Sequence, residues 1–408
     1  MSQVGLKDIQ KARREIQGRV VRTPLIPFFG WPGKPEAQVF LKLENLQRTG
    51  SFKVRGAFNR MAHLTPGEVA RGVITASAGN HAQGVALAAK EMGIRATIIM
   101  PEPASPAKVA GTRALGAKVV LKGRDYQEAY EEAQRVAAAE GLVFIHPYED
   151  PLIIAGQGTV GLEILEDLPD VGTVIAGVGG GGLLSGIALA LAERRKKTRI
   201  IGVQPKATGN LLAALMAGKP VTVGPSPTLA DGLATRHVGD LTFSLLKKRV
   251  DQVFEVSESE IATAVFFLLE KARVLAEGSG AAPVAALMAH PELLDHGPVV
   301  AVISGGNIDP FLLDSLLWRG LASQGRVLRV LTVFADRPGM LAGLLKDVAS
   351  LDGNVVRVRH ERESPFLNPG EVAVEVEIEV RDREHARAVL AGLKKHGWSA
   401  RSVPFGPS

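Results

Sequence analysis

The sequence predicts an α/β protein built on a mostly parallel sheet, followed by a small ferredoxin-like unit. Three observations carry this. Up to about Gln324, short β-rich runs alternate with alanine- and leucine-rich ones. The β-rich runs are apolar almost throughout, as strands covered by helices on both faces are. From Arg326 onward the strands alternate in polarity and the order becomes βαββαβ.

Taken in order, strands are expected at Val39–Leu43, Gly72–Thr75, Thr97–Met100, Lys118–Leu121, Val143–Ile145, Val174–Ala176, Arg199–Val203 and Val299–Ile303. Helices are expected at Ala82–Met92, Pro106–Leu115, Tyr126–Glu140 and Leu183–Arg195. Arg319–Gly325, with Gly320, Ser323 and Gly325, reads as a linker between domains 1–323 and 326–404. In the tail, Val327–Phe334 is a strand and Asp336-Arg337-Pro338-Gly339 a turn; Met340, Leu341, Leu344, Leu345, Val348 and Leu351 then fall at helical spacing. Val355–Arg359 and Glu371–Val380 are strands. In the second, Val372, Val374, Val376, Ile378 and Val380 point one way and four glutamates the other, so one face is expected to be wet. Helix Glu384–Lys395 and a strand near Ser399–Val403 complete the unit.

Composition narrows the function. The chain has 408 residues, 46% hydrophobic and 22% charged, enough for two or three globular domains. No apolar stretch approaches the roughly 20 residues that span a bilayer. The first residues lack an apolar signal core, so a cytoplasmic protein without membrane partners is expected. The absence of cysteine excludes disulfides, thiol catalysis and cysteine-ligated iron–sulfur clusters. The net charge of +6 is mostly interspersed with acidic residues. Its densest basic run, Arg194-Arg195-Lys196-Lys197, ends a helical pattern, where cations suit the helix dipole. No nucleic-acid partner is expected.

Four segments carry chemistry. Lys53, in Ser51-Phe52-Lys53-Val54-Arg55-Gly56-Ala57, is flanked by apolar residues just past a Thr-Gly-Ser turn. Desolvation there would favour the neutral amine that attacks carbonyls. Gly179-Gly180-Gly181-Gly182 and Leu183 follow a strand and open a helix, so backbone N–H groups can converge on a phosphate. With Gly177 and Val178 before it, the run also fits the dinucleotide pattern G-x-G-x-x-G. Its next strand, however, is followed by Gln204-Pro205 instead of the acid that holds a ribose, which favours a lone phosphate. Ser77-Ala78-Gly79-Asn80-His81 offers a hydroxyl, amides and an Asn side chain at a helix start, suited to a carboxylate and a phenolic oxygen or simply to capping. Ser304 follows a strand and could face a pyridine nitrogen, donating a hydrogen bond without charge. Together they suit one phosphorylated aromatic aldehyde, pyridoxal phosphate.

With these motifs in the same order, the chain resembles the threonine dehydratase (threonine deaminase) group of fold-type II pyridoxal-phosphate enzymes over nearly its whole length. That resemblance implies two open, mostly parallel twisted sheets, with a smaller subdomain at about residues 46–150 of the catalytic domain. It assigns Lys53 to the covalent link with the cofactor, Phe52 to packing beside it, Asn80 to its 3′ oxygen and Ser304 to its ring nitrogen. Gly179, Gly180, Gly181, Gly182 and Leu183 take the phosphate. Ser77, Ala78, Gly79, Asn80 and His81 form the substrate loop, with His81 in the first helical turn and not the base. The tail, with Asp336-Arg337-Pro338-Gly339-Met340, resembles an ACT domain. This implies an amino-acid effector such as isoleucine or valine, and a homodimer or homotetramer.

The implied reaction converts L-threonine, and L-serine, to an oxoacid and ammonia. Rival readings are a serine racemase or a β-replacing enzyme of the same fold, and a non-enzymatic amino-acid sensor. The racemases carry a second serine where this loop has Ala78, so loss of water is favoured over inversion. They also resemble this chain around Thr228–Gly232, near their divalent-cation site. Gln204 stands about where they place a carboxylate ligand, so no metal is expected near Asp231.

Overall fold

The computed structural model describes residues 4–192, 198–363 and 367–404; the basic run Arg194–Lys197 lies outside them. They form two compact units, divided between Asp309 and Pro310. The first unit carries ten described strands: β1 (Leu25–Phe28), β2 (Val39–Leu43), β3 (Val73–Ala76), β4 (Ala96–Met100), β5 (Lys118–Leu121), β6 (Val143–Phe144), β7 (Thr173–Gly177), β8 (Arg199–Pro205), β9 (Gln252–Val256) and β10 (Val299–Ile303). Six form a sheet in the order β1-β2-β10-β7-β8-β9, parallel except for β1 against β2. Four form a parallel sheet in the order β5-β4-β3-β6.

All eight expected strands of this unit are present, with ends shifted by at most two residues. The two that the sequence did not announce, β1 and β9, are the edges of the larger sheet. Edge strands are only half covered, and β9 is broken by Glu255. β1 even holds Pro27, whose missing N–H is tolerated only where no neighbour needs it. By contrast β10, between β2 and β7, has no residue more than 1% exposed. Each branched side chain buried there contributes about 1.5–3 kcal/mol.

Helix Tyr126–Glu140 shows how local signals set the boundaries. The Asp125 carboxylate accepts from the Glu128 amide at 2.9 Å, and Gly141 ends the helix at φ 65°. Ala129, Ala133 and Ala137 recur at four-residue spacing and bury against Ile74, Ala76 and Ile99 of the smaller sheet. The expected helix Leu183–Arg195 is described as Gly182–Ala190.

Helix Lys53–Met61 crosses helix Pro151–Asp167 so closely that a Cβ on Gly156 would lie 2.6 Å from the Gly56 Cα. It is anchored by a buried ion cluster. Arg55 donates from Nε and Nη2 to Glu44, each at 2.8 Å, and from Nη1 to Glu163 at 2.6 Å. Lys42 Nζ reaches Glu163 at 2.6 Å and the Thr23 carbonyl at 2.7 Å. Two cations meet two carboxylates, and no member of the cluster is more than 7% exposed. Burial alone would raise the Glu44 pKa, but Arg55 and Thr23 hold it below the usual carboxylate range. The cluster fixes the first turn of this helix to β2 and to helix Pro151–Asp167.

The second unit opens with helix Pro310–Ser323 and contains β11 (Val327–Ala335), β12 (Asn354–Glu361), β13 (Glu371–Glu379) and β14 (Arg401–Ser402). Their antiparallel order is β12-β13-β11-β14, with helices Met340–Ser350 and Arg383–Lys395 completing βαββαβ. Val372, Val374, Val376 and Ile378 form its core with Leu344, Val348, Val389 and Leu393. Two expectations need correction. Arg319–Ser323 is the last turn and a half of a helix, not a linker, because Leu316 and Gly320 bury one of its faces. The glutamate face of β13 is not uniformly wet, since Glu377 is 2% exposed and paired with Arg329 at 2.8 Å.

Candidate active site

Three strand ends of the first unit converge on one cavity of about 320 Å³. β3 runs into Ser77–His81, β7 into Gly179–Gly182 and β10 into Ser304, and every residue of these three segments lines the cavity. Lys53 joins them through the backbone. The Phe52 amide donates to the Ser304 carbonyl at 3.1 Å, and Ser51 pairs with Gly305 as an isolated bridge. Lys53 is therefore the first helical residue after a turn stitched to the end of β10. Phe52 lines the cavity too, with the Lys53 amine 5.3 Å from its ring centre.

The Lys53 Nζ donates to the Pro147 carbonyl at 3.1 Å. Burial pushes its pKa down to about 8, against the pull of the Glu277 carboxylate, which raises it. Burial acts on the nearby imidazoles as well. His81 is driven down to about 3 by burial and by Lys53, with Nε2 bonded to the Ile145 carbonyl at 3.0 Å. His146 is lowered to about 4, by burial, Lys53 and His237, and its Nδ1 accepts from the Glu149 amide at 2.8 Å. Both are neutral at pH 7.

The glycine run has the form of an anion cradle. The carbonyls of Gly179 and Gly180 are taken up by Asn210 Nδ2 at 3.1 Å and Thr242 Oγ1 at 2.8 Å. The amides of Gly179, Gly180 and Gly181 have no acceptor among the described residues. Gly181 adopts φ 92°, and a Cβ on Gly180 would stand 2.3 Å from the Tyr148 ring. Unpartnered amides at the start of helix Gly182–Ala190 suit a phosphate. Leu183 is 5% exposed and closes the loop. The residues fit pyridoxal phosphate: a depressed amine, a phosphate cradle, a neutral hydroxyl at Ser304 and an amide at Asn80.

Ser77 Oγ accepts from the Gly79 amide at 3.2 Å, leaving its own proton to donate. Asn80 begins helix Asn80–Glu91. Several pocket residues escaped the sequence reading: Glu277, Ser279, Tyr148, Thr235, and Lys108, which is ion-paired with Asp231. Glu277 is 5% exposed, and burial beside Asp231 pushes its pKa up to about 7. The Ser279 hydroxyl is buried without a partner. A sequence signal existed in the small-residue run Ala276-Glu277-Gly278-Ser279-Gly280, but no strand precedes it to flag a ligand loop. Gln204 acts as a helix cap, its Oε1 accepting from the Leu211 amide at 3.0 Å. Among the described residues no group of three His, Cys, Asp or Glu could hold a metal ion. None of the described helices is long and apolar enough to cross a membrane.

Residues 16–305 match the family described as pyridoxal-phosphate dependent enzyme. Over 400 residues the chain is 46% identical to the L-threonine ammonia-lyase of Thermotoga maritima, covering 98% of this chain and 100% of that one. Among solved structures it is similar to the processed form of threonine deaminase isoform 2 from Solanum lycopersicum, with TM-score 0.71 and 36% identity over 76% of this chain and 86% of that one. It is also similar to maize serine racemase, with TM-score 0.74 and 34% identity over 79% of this chain and 100% of that one.

Proposed function

The chain belongs to the pyridoxal-phosphate dependent enzyme family, and from that premise we propose that Lys53 is the residue through which it acts. Its cofactor is pyridoxal 5′-phosphate, and its activity is the deamination of L-threonine, giving 2-oxobutanoate and ammonia. The racemase alternative is the weaker one. Ala78 offers no hydroxyl opposite Lys53 to return a proton to the far face of Cα.

The bound cofactor supplies an aldehyde that condenses with amines and a ring that withdraws charge from Cα. The chain's own residues do the rest. The glycine amides hold the phosphate and Ser304 donates to the ring nitrogen without adding charge. Ser77 and the amides of Ala78 to Asn80 hold the substrate carboxylate. Once free, the Lys53 amine takes the proton from Cα, a task for which a pKa of about 8 is well matched. L-Serine, one methyl smaller, should react within about 10–200-fold of threonine.

The observation that carries this reading is the convergence of the depressed Lys53 amine, the glycine cradle and Ser304 on one cavity. The test is the absorption spectrum of the purified protein with the cofactor, before and after borohydride, together with an oxoacid assay on L-threonine. The parent should show a visible band that borohydride abolishes, and Lys53→Ala should show neither that response nor turnover. A Lys53→Ala protein that turned over threonine at the parent rate would refute the assignment.

The βαββαβ unit is read as an ACT domain that binds an amino acid such as isoleucine or valine and joins chains into a homodimer or homotetramer. Effector action there needs unequal affinity for two states of the enzyme. Calorimetry on the full chain with each branched-chain amino acid tests it.

A further inference from the structure

Asn80 is gripped from both ends by residues that have no part in the chemistry described so far. The chain of bonds starts from a backbone carbonyl, which can only accept. Asn307 Nδ2 donates to the Thr49 carbonyl at 2.7 Å, which fixes the orientation of the Asn307 amide. The same Nδ2 donates to Asn80 Oδ1 at 2.7 Å. Asn80 must therefore present its oxygen to Asn307 and its nitrogen to the other side. There, Asn80 Nδ2 donates to Glu277 Oε1, again at 2.7 Å. One N–H of Asn80 remains, and Asn80, Glu277 and Asn307 all line the cavity.

Two glycines make room for this arrangement. A Cβ on Gly305 would lie 2.4 Å from Glu277 Oε1 and 3.2 Å from Asn80 Nδ2. A Cβ on Gly50, which has φ 70°, would lie 2.3 Å from Asn307 Oδ1. The Glu277 amide is also tied to the Gly305 carbonyl at 3.1 Å, so its backbone is held as well as its side chain.

We propose that Glu277 and Asn307 are positioning residues that fix the Asn80 amide so that its free N–H, never its oxygen, is offered to the phenolic oxygen of the cofactor. A flipped amide would set Oδ1 against Glu277 Oε1 and against an anionic oxygen at once, two contacts between acceptors. The inference rests on the reading of the cavity as the cofactor site.

The carboxyl group has a second property that its removal must be distinguished from. Its pKa is raised to about 7, by burial first and then by Asp231, with Asn80, Lys108 and Lys53 opposing the rise. Charged or neutral, Oε1 still accepts from Asn80, so the grip persists through the titration while the charge does not. Glu277→Gln keeps an acceptor oxygen and removes the titration; Glu277→Ala removes both.

The test is a double-mutant cycle read by cofactor affinity, with cofactor-free protein reconstituted with pyridoxal phosphate and followed by its visible band. Glu277→Ala should weaken cofactor binding about tenfold in the parent, the scale of one net hydrogen bond. In an Asn80→Ala background it should have no further effect. Glu277→Gln should stay within about threefold of the parent but lose a step near pH 7 in the titration of the band. Equal losses from Glu277→Ala with and without Asn80 would overturn the proposal. Should Glu277→Ala not fold, the cycle is run with Asn307→Ala, and independence from Asn80 there overturns it equally. A visible, borohydride-sensitive band retained by Lys53→Ala would instead bring down the reading of the cavity, and this inference with it.

Discussion

Lys53 and Arg55 are two residues apart on one helix, and both bring a cation into the interior, yet their surroundings differ in kind. Arg55 meets four carboxylate oxygens of Glu44 and Glu163 and is 0% exposed. Lys53 has one carbonyl partner and feels only the more distant Glu277, itself held part-neutral. A buried charge supplied with partners stays charged and fastens the fold. One that is left short gives up its proton and becomes a nucleophile and base. The difference can be probed from both sides.

The largest effect should come from Lys53→Ala, which removes the proposed base: turnover of L-threonine should fall by at least about 1000-fold, measured as oxoacid release. Arg55→Leu should act on the fold instead. It leaves Glu44 and Glu163 facing Lys42 alone, a loss of about 3–5 kcal/mol readable by urea unfolding. Turnover per folded molecule should fall far less than for Lys53→Ala; an equal fall would erase the contrast between the two cations.

A smaller effect separates the two sites by pH. The folded-state pKa of Lys53 lies near 8, below the ordinary 10.5, so the unfolded chain binds the extra proton between those values. Below pH 8 the buried ammonium costs stability, and the cost is relieved as pH rises toward 10.5. Lys53→Met should thus stabilise cofactor-free protein at pH 7 by about 3 kcal/mol, the gain vanishing by pH 10.5, as thermal unfolding across pH would show. The Arg55 cluster behaves oppositely. Glu44 is depressed below 4.5, so its contribution is present above that value and lost as pH falls through the folded-state one.

The sequence made one of these sites far more legible than the other. The glycine run, Asn80 and Ser304 sit in short motifs at strand ends, where parallel sheets place their ligands, and Lys53 sits in a short motif of its own. Arg55 lay in the same motif, but its partners Lys42, Glu44 and Glu163 are scattered through a strand, a 3₁₀ turn and a helix with no local mark. Glu277 and Ser279 were missed for a similar reason, since only tertiary packing buries them. Edge strand β1 carries Pro27, which reads against a strand, and β9 is interrupted by Glu255. The end of helix Pro310–Ser323 read as a linker because of Gly320 and Ser323, whereas Gly320 is a buried contact.

The clasp between Ser51 and Gly305, with Asn307 bonded to a carbonyl 258 residues earlier, sets a timetable for biosynthesis. Lys53 leaves the ribosome early, but the segment that completes its surroundings is made some 250 residues later, at about 5–20 residues per second. Throughout that interval no finished receptacle exists, and nascent chains shorter than this should be unable to capture the vitamin.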